Sequence, residues 1–159
     1  SCYNADVRIK RRFIMIDAAN DRKYGYAGLI PLAVGFAGAL FAVSGSVQVF
    51  LDYSLLVLIF LTGSCWGALR TKKKKAEDWQ LGFTIAIFLW GWFASYLPQN
   101  IAVLMLLVGF WMLRFLESDK VFGKVYTDEY KDMRAKLTWV VSALHVLVFV
   151  LSNYTDQLK

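Results

Sequence analysis

The chain has 159 residues, 58% of them hydrophobic and 16% aromatic, with a formal net charge of +6, and its mean hydropathy is +0.46. Water-soluble domains average about 45–50% apolar residues, and here the charges are confined to positions 1–23, 52, 70–78, 114–136 and 156–159. That segregation excludes intrinsic disorder, a secreted cysteine scaffold and a compact soluble enzyme, and it points to a lipid-embedded chain.

A bilayer's hydrocarbon core, about 30 Å thick, takes roughly 20 apolar residues at 1.5 Å each. In chain order, the first charge-free stretch is Tyr24 to Leu51, whose polar tail Ser44, Gly45, Ser46 and Gln48 predicts a helix ending near Val43. Tyr53 to Leu69 is the second, and Asp52 is expected to cap it. Trp79 to Leu113 is too long for one crossing and carries Pro98, Gln99 and Asn100 in its middle. Proline lacks an amide donor and turns the preceding residue away from helix, so a break at Leu97 and a hairpin of two helices are predicted. Leu137 to Thr155 supplies the last. The expectation is therefore an all-α integral membrane bundle of five transmembrane helices over 24–155, at about 24–43, 53–69, 80–97, 101–116 and 137–155. A basic flank over 1–23 precedes it, and a short tail over 156–159 follows.

Loop charge supports that count. Lysine and arginine accumulate on the cytoplasmic or matrix side of short loops, and five crossings place seventeen of the eighteen bases on one side, leaving Lys159 on the other. The N-terminus is then inside and the C-terminus outside. No base-stacking or groove-reading motif accompanies the bases, so no nucleic acid is expected. Juxtamembrane bases attract anionic lipid by about 1 kcal/mol each, which makes membrane lipids partners and bound phospholipid the expected companion.

The sequence opens on Ser1, which leaves room for a signal peptide or a presequence upstream. Val7 to Asp21 is basic with an apolar patch, Phe13 to Ile16. It reads either as an interfacial segment or as a solvated flank. In the last inner loop, Phe122, Tyr126, Tyr130, Met133 and Leu137 recur at steps of three or four, one face of an amphipathic helix over 121–136. Thr127 before Asp128 and Glu129 resembles a helix start, and that helix is expected to run into the fifth span. Its face is either an interfacial lead-in, with Tyr126, Tyr130 and Arg134 as anchors, or a docking surface.

His145 is the sole histidine and lies near the centre of the fifth span, with Thr138, Ser142 and Ser152 at helical spacing. Ionisable groups at that depth are functional candidates. The imidazole can bond across helices, or ligate haem or a pigment in a flat apolar pocket. Arg114 can snorkel to the inner interface, with Glu117 one turn later as its partner. Cys2 and Cys65 lack metal-ligand or redox spacing, and no metal site or cofactor is expected.

Small residues mark helix contacts: Gly28, Gly35, Gly38 and Ala42 on the first span, and Gly63 and Gly67, a GxxxG pair, on the second. Both sets are expected to pack within the monomer, with Trp66 anchoring the inner boundary. No phosphate loop, nucleophile elbow, zinc signature or pair of catalytic acids is found, so no catalytic residue is assigned.

Gly25-Tyr26-Ala27-Gly28-Leu29-Ile30-Pro31, then Phe60-Leu61-Thr62-Gly63-Ser64-Cys65-Trp66-Gly67, then Tyr130 with Met133, Arg134, Leu137 and Thr138, resemble the landmarks of small membrane proteins related to transmembrane protein 69. Leu32 stands where an aromatic residue is common in those proteins. The resemblance implies about five spans, a location in mitochondrial or bacterial inner membranes, and no catalytic residue to carry over.

The expected function is that of a non-catalytic integral protein of the mitochondrial inner membrane, or of a bacterial inner membrane. It is expected to serve as an accessory subunit or assembly factor of a larger, respiratory-type complex, with other integral membrane subunits as partners. The alternatives are a small-solute or ion permease lined by Ser142 and His145, and a haem or pigment carrier through His145.

Overall fold

A computed structural model describes residues 22–70, 78–118 and 126–157. The patch Phe13 to Ile16, Cys2, the run Lys72 to Lys75, Phe122 and the last two residues lie outside the described residues. The described chain is all-α. A short helix over 22–27 (α1) is followed by α2, Ile30–Leu40; α3, Ser46–Arg70; α4, Asp78–Ala94; α5, Gln99–Ser118; and α6, Asp128–Gln157.

The first apolar stretch is not the continuous helix over 24–43 expected from the sequence. It breaks at Gly28 and Leu29, and α2 carries Pro31 in its first turn. Pro31 cannot donate to the carbonyl of Ala27, and its ring crowds that carbonyl, so the chain turns before resuming. Leu40 ends α2. There the Ala42 amide donates to the Ala39 carbonyl at 3.1 Å and the Val43 amide to the Gly38 carbonyl at 2.9 Å, the paired bonds of a Schellman termination. Ala42 occupies the left-handed position with φ 55°, where a Cβ costs about 1–2 kcal/mol. Ala42→Gly is therefore expected to stabilise the protein by about 0.5–1 kcal/mol once the greater freedom of the unfolded glycine chain is deducted. Unfolding in detergent micelles measures it.

The second helix starts at Ser46, not Tyr53, and incorporates the polar residues read as its approach. Asp52 therefore sits within the helix and caps nothing. It accepts from Gln48 Nε2 at 2.8 Å, and Gln48 Oε1 accepts from Gln99 Nε2 at 3.1 Å. This chain of amides ties the first turns of α3 to the start of α5.

Helix α4 ends at Ala94, three residues before the predicted Leu97, so the break before α5 covers 95–98, and the Pro98 carbonyl accepts from the Ile101 and Ala102 amides at 2.9 Å each. At the start of α6, Thr127 Oγ1 accepts from the Tyr130 amide at 3.3 Å. Asp128 and Glu129 occupy the first turn, where the helix dipole favours anions.

Three helices, α3, α5 and α6, are long and apolar enough to cross a membrane. Their outward side chains are apolar as well: Leu56, Phe60, Phe115, Trp139 and Val150 are all more than half exposed, a surface suited to lipid rather than water. Helix α3 lies centrally, against α2, α4 and α5. The core gathers around Phe50 and Leu58 of α3, Ile87 of α4, Phe110 and Leu113 of α5 and Val148 of α6.

Candidate functional site

Two buried polar junctions join α3 to α6, and the same spacing separates them on both helices. Ser54 and Cys65 belong to α3, His145 and Arg134 to α6, and each pair is eleven residues apart. Three helical turns take about 11 residues and rise roughly 16 Å, so each pair lies on one face. The helices run antiparallel, which sets Ser54 opposite His145 at one level and Cys65 near Arg134 at the other.

At the first junction His145 is fully buried. Its Nδ1 lies 2.8 Å from the carbonyl of Val141, an acceptor, so Nδ1 carries the proton. Nε2 is then the lone-pair nitrogen, and the Ser54 hydroxyl donates to it at 2.8 Å. The edges of Phe50 and Phe110 close around the ring, with centroids 4.9 and 5.6 Å away. Metal or haem ligation through Nε2 would have to displace Ser54. Interhelical hydrogen bonds in lipid contribute about 0.6 kcal/mol on average and up to about 1.7. Ser54→Ala and His145→Leu are thus expected to show a coupling of about 1 kcal/mol in a double-mutant cycle. Strictly additive effects would mean the bond contributes nothing.

Beside His145, α6 turns its hydroxyls onto itself: Thr138 donates to the Arg134 carbonyl at 2.9 Å and Ser142 to the Thr138 carbonyl at 2.8 Å. Both residues are buried. This polar stripe faces the bundle with its donors already engaged.

The second junction corrects two sequence expectations. Glu117 pairs with Arg134, not Arg114: its Oε1 accepts from Arg134 Nη2 at 2.7 Å and Nε at 3.1 Å, with both side chains less than one-tenth exposed. Arg134 is accordingly anchored to Glu117 inside the bundle. The Cys65 thiol donates to the same Oε1 at 3.7 Å. Tyr126 stacks on Tyr130, centroids 4.6 Å apart, and burial, with Cys65 beside it, pushes its phenol up, so the hydroxyl stays protonated. Arg114 is half-buried and borders a small recess with Glu117, Tyr126 and Tyr130. These contacts tie α3, α5 and α6 together where the bases cluster.

The glycines divide. A Cβ on Gly35 would meet the Cβ, Cα and N of Phe50 at 3.1–3.3 Å, and one on Gly38 would meet the Ser46 Cβ at 2.8 Å, so both mark a close approach of α2 to α3. Gly28 lies at the turn, where its carbonyl accepts from the Tyr53 hydroxyl at 3.0 Å. Gly63 and Gly67 have nothing within 4 Å of an added Cβ; the expected close packing is absent there among the described residues, and Gly63 instead borders a shallow recess with Ile85 and Phe88 of α4. Gly91 and Gly109, which the sequence reading does not single out, receive Leu58. Trp66 is partly exposed, with the Arg70 guanidinium 6.0 Å from its ring centroid, a cation–π arrangement.

Sequence reasoning also missed Ser54, Phe50 and Phe110. The one available signal was the shared eleven-residue interval. Among the described residues, no three His, Cys, Asp or Glu side chains are grouped to hold a metal ion.

A search of curated proteins and of solved structures finds no match. A family profile described as "Protein of unknown function (DUF3429)" matches residues 20–150, which spans α1 to α5 and most of α6. With most of its length matched, the chain belongs to that family.

Proposed function

We propose that this is a non-catalytic integral inner-membrane protein that works by association, as an accessory subunit or assembly factor of a larger membrane complex. The observation that supports this reading is how the interior polar groups are used. His145, Ser142, Thr138, Arg134 and Glu117 are engaged with one another, with Ser54 and Cys65, or with helix carbonyls, an arrangement that fixes helices against each other. The reading includes five crossings with the N-terminus on the matrix or cytoplasmic side, because the bases then share one side. It places the protein in the mitochondrial or a bacterial inner membrane and relates it to the transmembrane protein 69 relatives, on the strings around Gly28–Pro31 and Gly63–Gly67.

A partner subunit's transmembrane helix suits the open GxxxG face of α3, since small residues let backbones approach closely in lipid. The test is native-membrane isolation of the tagged full chain in mild detergent. Co-migration with other integral subunits is expected, and migration as a small monomer alone would overturn the reading. Gly63→Ile with Gly67→Ile is expected to abolish co-migration while changing intrinsic stability by less than about 0.5 kcal/mol.

A further inference from the structure

A cavity of about 490 Å³ lies between the α1–α2 segment, α3 and α6, within the roughly 300–1,000 Å³ typical of ligand pockets. Leu32, Phe110 and Val141 form part of its buried lining. Tyr24, Leu56 and Phe60 also line it and are 77%, 62% and 72% exposed, so it opens sideways toward lipid. Polar groups gather toward the end marked by Arg134, Tyr130 and Thr138. From Arg134 to Val141 the wall of α6 rises by about 10 Å, from a polar to an apolar environment.

In a bilayer such a space does not stay empty. An unfilled void forfeits the dispersion contacts of its lining, and water enters a cavity only where polar partners hold it. The walls between Leu32 and Val141 call for hydrocarbon. At the polar end, two N–H groups of Arg134 engage Glu117, and a guanidinium has five, so the fork retains donors for a further oxygen. The Arg134–Glu117 pair is neutral as a unit. Lys23 does not line the cavity; it is exposed on α1, next in sequence to the lining residue Tyr24, and with Arg22 facing Glu129 at 3.7 Å it leaves the α1 border of the opening net positive.

We infer that this cavity binds one long-chain amphiphile, with its hydrocarbon chain between α2, α3 and α6 and a net-negative oxygen headgroup at Arg134, on the side that α1 makes positive. A phospholipid and a free fatty acid share that chemistry. The inference is independent of the association role, because neither Gly63 nor Gly67 lines this cavity.

The experiment reconstitutes the full chain in phosphatidylcholine vesicles containing a trace of phosphatidylglycerol with a diazirine near one acyl terminus, and maps the photoadducts by peptide mass spectrometry. Adducts are expected on residues 53–57 and on Val141, which line the apolar end, above the level on other lipid-facing segments such as 85–88. Unlabelled phosphatidylglycerol or oleate should reduce them. Competition by the first assigns a phospholipid and by the second a fatty acid, and either supports the site. Gly28→Leu fills the cavity from the turn, where an added Cβ sits 3.4 Å from its nearest neighbour, the Gly25 carbonyl oxygen. Val57→Trp fills it from α3, and each variant should cut labelling by about tenfold in protein whose melting is unchanged. Adducts spread evenly over the exterior, equal competition by added phosphatidylcholine, or undiminished labelling in both filled variants would overturn the assignment.

Discussion

Glu117→Ala is expected to lower stability by about 3–5 kcal/mol, the cost of stranding a buried charge whose partner has been removed. The geometry sets this expectation. Arg134 places Nε and Nη2 on one carboxylate oxygen, at 3.1 and 2.7 Å, with neither side chain more than 9% exposed. Arg134→Leu should be comparably damaging, since it leaves Glu117 with only the Cys65 thiol at 3.7 Å. The double variant Glu117→Leu, Arg134→Leu should recover most of the loss, because well-packed apolar residues replace a buried ion pair at little or no cost. Unfolding of all three in detergent micelles gives the cycle. A Glu117→Ala protein within about 1 kcal/mol of the parent would show that the pair is solvated after all.

Which parts of this architecture were legible follows from the range of the interactions. Thr127 is read from sequence because its hydroxyl needs only the amide three residues on. Leu97 is read because proline acts on its immediate neighbour. The start of α3 was misread for the same reason: Ser46 to Gln48 look like loop, and only Gln99, fifty-one residues away, shows Gln48 working inside a helix. The junctions are longer still. Ser54 meets His145 across ninety-one positions, and a serine in an apolar span carries no mark that sets it apart from Ser142. Arg134 was singled out, yet its partner was assigned elsewhere, because Glu117 lies one turn from Arg114 along the chain and only the α5–α6 packing brings Arg134 closer.

Glycine pattern and glycine packing diverge most clearly, and one matched pair of variants separates them. Gly35→Leu is expected to destabilise the protein by about 3 kcal/mol, near the upper end for overpacking, whereas Gly63→Leu is expected to fall within about 0.5 kcal/mol of the parent. At Gly35 the obstacle is backbone: the Cα and N of Phe50 stand 3.2 and 3.3 Å from an added Cβ, and neither can rotate aside. Relief requires α2 to separate from α3, and the segment between them, closed by Ala42 and Gly45 at positive φ, has few residues with which to accommodate that. Where α2 does not separate fully, the leucine presses on Phe50 of α3, whose ring centroid lies 4.9 Å from that of His145, so the Ser54 hydrogen bond should weaken in the same variant. At Gly63 nothing lies within 4 Å of an added Cβ, and a leucine there has the recess beside Ile85 and Phe88 to occupy. Equal losses at the two positions would mean that the α3 face beyond Gly63 is covered within the monomer. A loss at Gly63 that appears only in native membranes, and not in the purified chain, would locate the covering helix on a partner.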